Sequence, residues 1–517
     1  MKQHAFYSVP IALAALGNVT AAAQATKPNI VLIMTDQQRA DICGREGFPL
    51  PVTPYVDSLA TQNVWFNRAY TSMPSSAPAR CSLISGRFPS ATHVRTNHNI
   101  PDAFHGKDLT DVLKECGYRT AMVGKNHTYM NMSEVFDYSV DYGHRGNAKK
   151  GTPEERALGK FLQEMPGQYL DPSPFPLEQQ QPYQIVTKAL DWVKQQKDAP
   201  FFLFVSIPEP HSPSQVCEPY YSMFPPESLP PLLSSRKNLQ DKGEKYMSLA
   251  ALEDTACPNV QRDIPRLRSI YAGMLRLIDD QIRRLIEEMK ATGLYDNTVF
   301  VIMSDHGDYF GEYGLIRKGA GVPESLTRIP MVWAGKDIVP RRQPMDDCVS
   351  IVDVLPTFCS IMGADIPLGV QGRSLWPMLT GKEYPKKEFA SVVVEQGYGG
   401  EDFTLNEPVT FKEEGCYSGK EAGFDGLNSW TQSGVLRMVR KGDWKLVMDQ
   451  NGRGELYNLK EDPVEINNLY GNKKHAATQM ELLEELLTWN LRLQDPLPVP
   501  RNRYHFKRNP ENYHFTN

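Results

Sequence analysis

Short apolar runs alternate with amphipathic stretches along most of the chain. Residues 29–35 and 297–304 are continuous apolar runs, typical of strands buried on both faces. Two further strands are predicted at residues 119–123 and 201–206. The amphipathic stretches predict helices at 55–64, 183–196 and 264–289, the last one ended by Gly293. This alternation predicts an α/β fold with a large, mostly parallel or mixed sheet flanked by helices.

The pattern changes after about residue 385. Short strand-like runs at 390–394, 435–439 and 444–448 are followed by a helical pattern at 474–493. They predict a smaller C-terminal antiparallel sheet with one packing helix. We therefore divide the chain into an α/β domain at 27–384 and a C-terminal subdomain at 385–517. Residues 395–433 are expected to form a long loop, and the basic, aromatic tail from Pro496 to form a strap over the surface.

The N-terminus has the pattern of a secretion signal. Lys2 precedes an apolar core at 9–16, and small residues at 21–25 offer cleavage sites, so residues 1–25 are predicted to be a signal peptide. A buried N-terminal helix is the alternative. No later stretch has the length and apolarity of a membrane span. We expect a secreted, periplasmic protein.

Charge and cysteine content narrow the range of functions. The 517 residues carry a formal net charge of −5, which disfavours nucleic-acid binding because that requires clustered positive charge. The eight cysteines have no zinc-binding spacing, and their pairing cannot be deduced. An anionic substrate would need a local cationic pocket.

Acidic residues directly follow two of the predicted buried strands. Asp36 comes just after residues 29–35, and Asp305 just after residues 297–304. Ligands of parallel sheets bind at the carboxyl ends of strands. We therefore expect Asp36 and Asp305 to share one site.

The segment from Ser76 to Arg87, with Pro78, Arg80 and Gly86, resembles the signature of the type I sulfatases. The resemblance implies an alkaline-phosphatase-like fold and oxidation of Ser76 to Cα-formylglycine (3-oxoalanine), whose hydrated aldehyde is the nucleophile. A serine at this position is similar to the sulfatases of anaerobic bacteria, which implies a radical-SAM maturase as a partner. A loop before a helix is the structural alternative for this segment taken alone.

The same resemblance implies a metal site. Asp36 and Gln37 match the family's first ligand pair, Asp305 and His306 match its second pair, and Ser76 completes the set. Many members have Asp-Asp where this chain has Asp-Gln, which removes one negative charge. Hard oxygen ligands favour calcium or magnesium, and looser coordination favours calcium. His306 leaves the identity of the metal open.

Cationic and histidine motifs complete the implied catalytic set. Arg80 would stabilise the nucleophile, and Lys125 and Lys318 would contact the sulfate. His127, in a Gly-Lys-x-His element, would assist sulfate expulsion, and His211, in a Pro-His-x-Pro element, would be the general acid. Each alone could be a surface charge or a core histidine, but their order along the chain matches the family. The resemblance spans nearly the whole chain after residue 29.

The sulfated substrate is less well defined. Four residues after the motif helix lie at a place that often borders the substrate pocket in this family: His93, Arg95, Asn97 and His98. Their role is either recognition of a sugar hydroxyl or carboxylate, or a structural one. Secretion and a serine-type motif suggest an exo-acting carbohydrate sulfatase on glycosaminoglycan or other sulfated glycan fragments, by analogy. The rivals are a phosphodiesterase or phosphonate monoester hydrolase of the same superfamily, and a non-catalytic sulfoglycan-binding protein with Ser76 unmodified.

Overall fold

The computed structural model describes residues 27–165, 169–197, 199–402, 431–493 and 510–515. The predicted signal peptide at 1–25 lies outside these residues. So do most of the predicted loop, Cys416 and the greater part of the C-terminal tail. None of the seven described cysteines forms a disulfide. In the described part of the chain, every helix is too short or too polar to cross a bilayer.

Strands and helices alternate as the sequence predicts. Within the described residues the strands are β1 (Asn29–Asp36), β2 (Val64–Trp65), β3 (Ala69–Tyr70), β4 (Arg119–Gly124), β5 (Tyr138–Asp141), β6 (Phe201–Pro210), β7 (Thr298–Ser304), β8 (Met331–Gly335), β9 (Val349–Ser350), β10 (Ser391–Gly399), β11 (Gly434–Lys441), β12 (Trp444–Asp449) and β13 (Gly454–Asn458). The α-helices are α1 (Pro54–Thr61), α2 (Ser76–Ser85), α3 (Pro89–Thr92), α4 (Leu109–Glu115), α5 (Met132–Val135), α6 (Pro153–Glu164), α7 (Gln181–Val193), α8 (Tyr220–Met223), α9 (Leu239–Lys242), α10 (Glu244–Ala256), α11 (Val260–Ala291), α12 (Glu324–Thr327), α13 (Val354–Met362), α14 (Trp376–Leu379) and α15 (Ala476–Leu493).

The main sheet has seven strands in the order β2-β8-β7-β1-β6-β4-β5. The five strands from β7 to β5 are parallel, and β8 and β2 add antiparallel pairs at one edge. The prediction of a mixed, mostly parallel sheet is thus confirmed. The fold is alkaline-phosphatase-like. Because β1 lies between β7 and β6, the carboxyl ends of all three strands meet near the middle of one sheet edge.

Helices cover both faces of this sheet, which explains the continuous apolar runs. Along β1, Ile30 and Leu32 join the core on one face, whereas Val31 and Ile33 join the core on the other. Neither face of the strand is exposed to water, so polar residues are excluded from both. The long helix α11 closes the second face against α1 and α7.

The smaller sheet is antiparallel, in the order β10-β11-β12-β13, and α15 packs against it. The prediction of a loop from residue 395 is wrong for residues 395–399, because β10 continues to Gly399. Glu395 and Gln396 are polar but buried, and each has a partner: Arg437 pairs with Glu395, and Gln396 donates to the carbonyl of Gly319. One core cluster includes residues of both sheets, so the boundary at 384/385 stays a prediction.

Candidate active site

The carboxyl ends of β1 and β7 bring three ionisable groups together. Asp36 ends β1, and Asp305 and His306 follow β7 directly. All three are buried, and one ligand atom of each lies within 4.8 Å of the others. Residues 269 positions apart in the chain thus form one cluster, as the strand ends indicate.

Ser76 lies at the first position of helix α2 and faces this cluster. Its Oγ is 3.0 Å from His306 Nε2, 3.3 Å from Asp36 Oδ1 and 3.1 Å from Lys318 Nζ. The backbone N–H groups at a helix N-terminus attract negative charge. An oxygen at this position is therefore surrounded by hydrogen-bond donors and by groups that could hold a metal ion.

Arg80, one turn further along α2, ties the two acidic residues together. Its Nε donates to Asp305 Oδ2 at 2.8 Å, and its Nη2 lies 3.3 Å from Asp36 Oδ2. Its Nη1 donates to Ser206 Oγ at 2.7 Å. The guanidinium is fully buried, so these contacts fix α2 relative to β1, β6 and β7.

Lys125 follows β4 and forms an ion pair with Asp36. Gly124 precedes it with a φ of 119°, and a Cβ there would lie 1.8 Å from the carbonyl oxygen of Ser206. Only glycine permits this close approach between β4 and β6. Burial lowers the pKa of Lys125 to about 8.

Neighbouring positive charges keep the carboxyl group of Asp36 ionised. Burial opposes its ionisation, but the charges of Lys125, His211 and Arg80 outweigh burial and hold the pKa well below its usual range. Burial, together with the charge of Lys318, lowers the pKa of His306 to about 4. A neutral imidazole is the form that binds a metal.

Two further predicted histidines lie beside this cluster. Burial and the charge of Lys125 lower the pKa of His127 to about 2, and its Nδ1 is buried without a partner. His211 Nδ1 lies 2.6 Å from the carbonyl oxygen of Ser212 and must donate to it. Its ring stacks on that of His144, with centroids 3.7 Å apart.

Gln37 has a strained backbone, with a φ of 69°, and a fixed side chain. Its N–H donates to Asp305 Oδ1 at 3.0 Å, and its Nε2 donates to Asp308. Its Oε1 is buried and has no partner. A divalent cation with oxygen ligands fits this set: the orphaned amide oxygen, the carboxylates of Asp36 and Asp305, and the imidazole of His306.

The four candidate substrate residues differ in their contacts and in their exposure. Asn97 Oδ1 accepts from the N–H of Ala77 at 3.0 Å and from Ser75 Oγ, so it supports the start of α2. The charge of Arg95 contributes to lowering the pKa of Arg437. His93 stacks on Phe104, and both His93 and His98 are exposed.

Other residues at the site escaped the sequence analysis. Ser206 links Arg80 to the carbonyl of Lys125, and Asp308 holds the amide of Gln37. Glu209 is buried one residue before Pro210, and burial raises its pKa to about 7. The position of Ser206 at the end of a predicted strand was the one available signal. Nothing local distinguishes Asp308 or Glu209.

The fold and the site define a hydrolase with an alkaline-phosphatase-like sheet and a candidate metal centre at its carboxyl edge. The sulfatase family model matches residues 28–364, and the chain belongs to that family. Its activity is that of a sulfuric ester hydrolase.

Known proteins similar to the chain include both sulfatases and a phosphonate hydrolase. An arylsulfatase of Clostridium perfringens is 24% identical over 89% of this chain and 94% of its own. A Delta 4,5-hexuronate-2-O-sulfatase of Bacteroides thetaiotaomicron is 24% identical over 90% of both chains. The structure of a phosphonate monoester hydrolase of Agrobacterium radiobacter superposes with a TM-score of 0.71 at 23% identity, over 90% of this chain and 96% of the other.

Proposed function

We propose that this protein removes O-sulfate from carbohydrates, as an exo-acting enzyme on glycosaminoglycan or other sulfated glycan fragments. The observation that carries the proposal is the position of Ser76: its Oγ contacts His306, Asp36 and Lys318 at the N-terminus of a buried helix. A hydrolytic nucleophile belongs at this point. The hexuronate-2-O-sulfatase named above supports a carbohydrate substrate.

We propose two groups that the chain alone does not contain. Formylglycine made from Ser76 would supply a hydrated aldehyde, one hydroxyl of which attacks sulfur while the other drives the release of inorganic sulfate. Calcium would supply positive charge at the attacking oxygen. Asp36, Gln37, Asp305 and His306 would hold it, with the modified Ser76 as a further ligand.

The cationic side chains would bind and orient the sulfate. Lys318 Nζ is 3.1 Å from Ser76 Oγ, so its charge lies where negative charge develops on the sulfate oxygens. Lys125 and Arg80 both pair with Oδ2 of Asp36, the carboxylate that Ser76 Oγ also contacts. In a buried site these charges act with little screening, so they stabilise the transition state more than they would in water.

The two histidines would move protons. Because His211 Nδ1–H donates to the Ser212 carbonyl, Nε2 is the nitrogen that would gain and release the catalytic proton. The imidazolium form would donate that proton from Nε2 to the leaving sugar oxygen and return to the neutral ring. That oxygen is a poor leaving group unless it is protonated. His127, held neutral by burial, would accept the proton of the second hydroxyl as sulfate departs.

We also propose that residues 1–25 direct export to the periplasm, and that a radical-SAM maturase oxidises Ser76. The charged start and apolar core of the N-terminus support export. The resemblance to serine-type sulfatases supports the maturase, because the motif begins with serine rather than cysteine. Mass analysis of the native protein tests both at once. It would give the mature N-terminus and the state of residue 76.

The function is tested with the Ser76→Cys variant, produced in a host that matures cysteine-type sulfatases. Sulfate release is measured on mono- and disaccharides sulfated at each single position. Release from one member is expected. Turnover of phosphonate monoesters or phosphodiesters alone, with formylglycine confirmed by mass, would replace this proposal with the phosphorus-ester activity.

A further inference from the structure

Beside the general acid lies a group of buried polar residues that the mechanism above does not use. Glu209, at the end of β6, and Gln181, the first residue of α7, are 7% and 2% exposed. His144 joins them from the segment after β5. Three elements that are distant in sequence thus converge on the side of the site where His211 lies.

Direct contacts hold this group together. Gln181 Nε2 donates to Glu209 Oε1 at 3.2 Å and lies 3.5 Å from the carbonyl oxygen of His144. The ring of His144 stacks on that of His211 with an angle of 19° between the planes. The group is therefore continuous with the proposed proton donor.

The contacts leave three buried polar atoms without partners: Glu209 Oε2, Gln181 Oε1 and His144 Nδ1. Buried polar atoms are nearly always hydrogen-bonded, so orphaned ones grouped at one place need an explanation. At a substrate site the explanation is a ligand that supplies the missing partners, since polar groups of a site pair with those of the substrate.

The chemistry of these atoms indicates what the ligand offers. Gln181 Oε1 can only accept a hydrogen bond, so it requires a donor. Glu209 Oε2 accepts when the carboxyl is ionised and donates when it is protonated, and a sugar hydroxyl suits both forms. Glu209 is itself a carboxyl group, so when it is ionised a second anionic group on the substrate would be repelled here. Hydroxyl or N–H groups of a neutral part of the sugar satisfy both conditions.

We propose that Glu209 and Gln181, with His144 beside them, form a hydrogen-bonding subsite for hydroxyl or N–H groups of the sugar on the leaving-group side of the ester. This inference rests on the proposed function. Glu209 and Gln181 would determine specificity, and His144 would position the ring of His211. An aryl sulfate, whose leaving group has no such donors, would not use the subsite.

The test compares Glu209→Ala, Gln181→Ala and the exposed control Glu227→Ala on three substrates. These are the sugar sulfate cleaved by the wild-type enzyme, its analogues lacking one hydroxyl next to the sulfate, and 4-nitrophenyl sulfate. For the sugar sulfate, kcat/KM should fall about 10- to 100-fold in the first two variants. For 4-nitrophenyl sulfate it should stay within about twofold, because no hydrogen bond is lost.

The deoxy analogues complete a double-mutant cycle. Removing the recognised hydroxyl should reduce the wild-type kcat/KM by a similar factor, and Glu209→Ala should lose little more on that analogue. Losses that simply multiply, or equal losses on sugar and aryl sulfates, would overturn the subsite. If Glu209→Ala does not fold, Gln181→Ala decides alone.

Failure of this inference can be told apart from failure of the proposed function. A wild-type enzyme that cleaves the sugar sulfate, with Glu209 and Gln181 variants that are unaffected, removes the subsite and leaves the function standing. A wild-type enzyme that cleaves 4-nitrophenyl sulfate and no sugar sulfate removes both.

Discussion

Gln37 donates its side-chain amide to Asp308, which leaves its carbonyl oxygen buried and without a partner. Asp308 is itself fixed, because its other oxygen accepts the N–H of Phe310 at 2.6 Å. An amide has one oxygen and one nitrogen end, so the bond to Asp308 fixes the nitrogen end and leaves the oxygen end for another partner. In the proposed calcium site, the carboxylate of Asp308 would thus select oxygen as the ligand atom of Gln37.

Removing this support should weaken metal binding. Asp308→Ala is expected to raise the calcium dissociation constant about tenfold or more, because the amide of Gln37 loses the bond that orients it. Isothermal titration calorimetry of the metal-free protein measures this directly. Asp308→Asn should lose less, since its amide oxygen can still accept from Gln37, and the exposed Asp296→Ala should bind as the wild type does. Unchanged affinity in Asp308→Ala would show that Gln37 needs no such support.

The general-acid role of His211 predicts a loss that depends on the leaving group. His211→Ala should lower kcat on sugar sulfates by about 10²- to 10⁴-fold, because an alkoxide leaves poorly without a proton. On 4-nitrophenyl sulfate the loss should be below about tenfold. Steady-state kinetics on both esters give the ratio of the two losses. His475→Ala is the control, because His475 lies in the C-terminal part of the chain, next to Trp444. Similar losses on the two esters would argue for a role in binding rather than in proton transfer.

The fold could be predicted from the sequence where burial leaves a strong pattern. The run at 29–35 is apolar because β1 alternates between two cores, and Asp36 lies at a strand end, where parallel sheets bind ligands. The start of β10 was predicted, but its continuation was not. Glu395 and Gln396 are polar, and only their partners in distant segments make burial acceptable.

Only those site residues that belong to short local motifs could be predicted from the sequence. Ser76 and Arg80 lie within one short segment whose order carries the information. The bond between Gln181 and Glu209 joins residues 28 positions apart, and that between Gln37 and Asp308 spans 271. No periodicity or motif encodes such pairs. They arise from the way α7, β6 and the segments after β1 and β7 pack together.

The close approach at Gly124 predicts a specific structural penalty. Gly124→Ala would place a Cβ 1.8 Å from the Ser206 carbonyl oxygen at a φ of 119°, so β4 and β6 must separate. We expect a loss of about 2–4 kcal/mol in the free energy of unfolding, measured by urea denaturation. Gly117→Ala is the matched control: its φ is 75°, but a Cβ there meets no atom within 4 Å, so about 1–2 kcal/mol is expected. If both variants lost the same free energy of unfolding, the penalty would come from the positive φ alone and not from the close contact with Ser206.

Glu324 gives a prediction for stability against pH. It joins α12 to the smaller sheet, since its carboxylate contacts Lys445 Nζ at 3.2 Å and Arg440 Nη1 at 2.9 Å. Burial opposes its ionisation, but these two cations and Arg328 outweigh burial and lower its pKa from 4.5 to about 2. The folded protein therefore binds this proton more weakly than the unfolded chain does.

The resulting stabilisation has a defined pH window. It is present above pH 4.5 and is lost as the pH falls toward 2, with a total of about 3 kcal/mol. Urea denaturation of the wild type and of Glu324→Gln at pH 7 and at pH 3 measures it. The variant should be less stable at pH 7 by about 3 kcal/mol or more, because buried cations lose their partner, and the difference should shrink at pH 3. The exposed Glu383→Gln should follow the wild type at both values. A difference that is the same at pH 7 and pH 3 would mean that Glu324 contributes through packing and not through its charge.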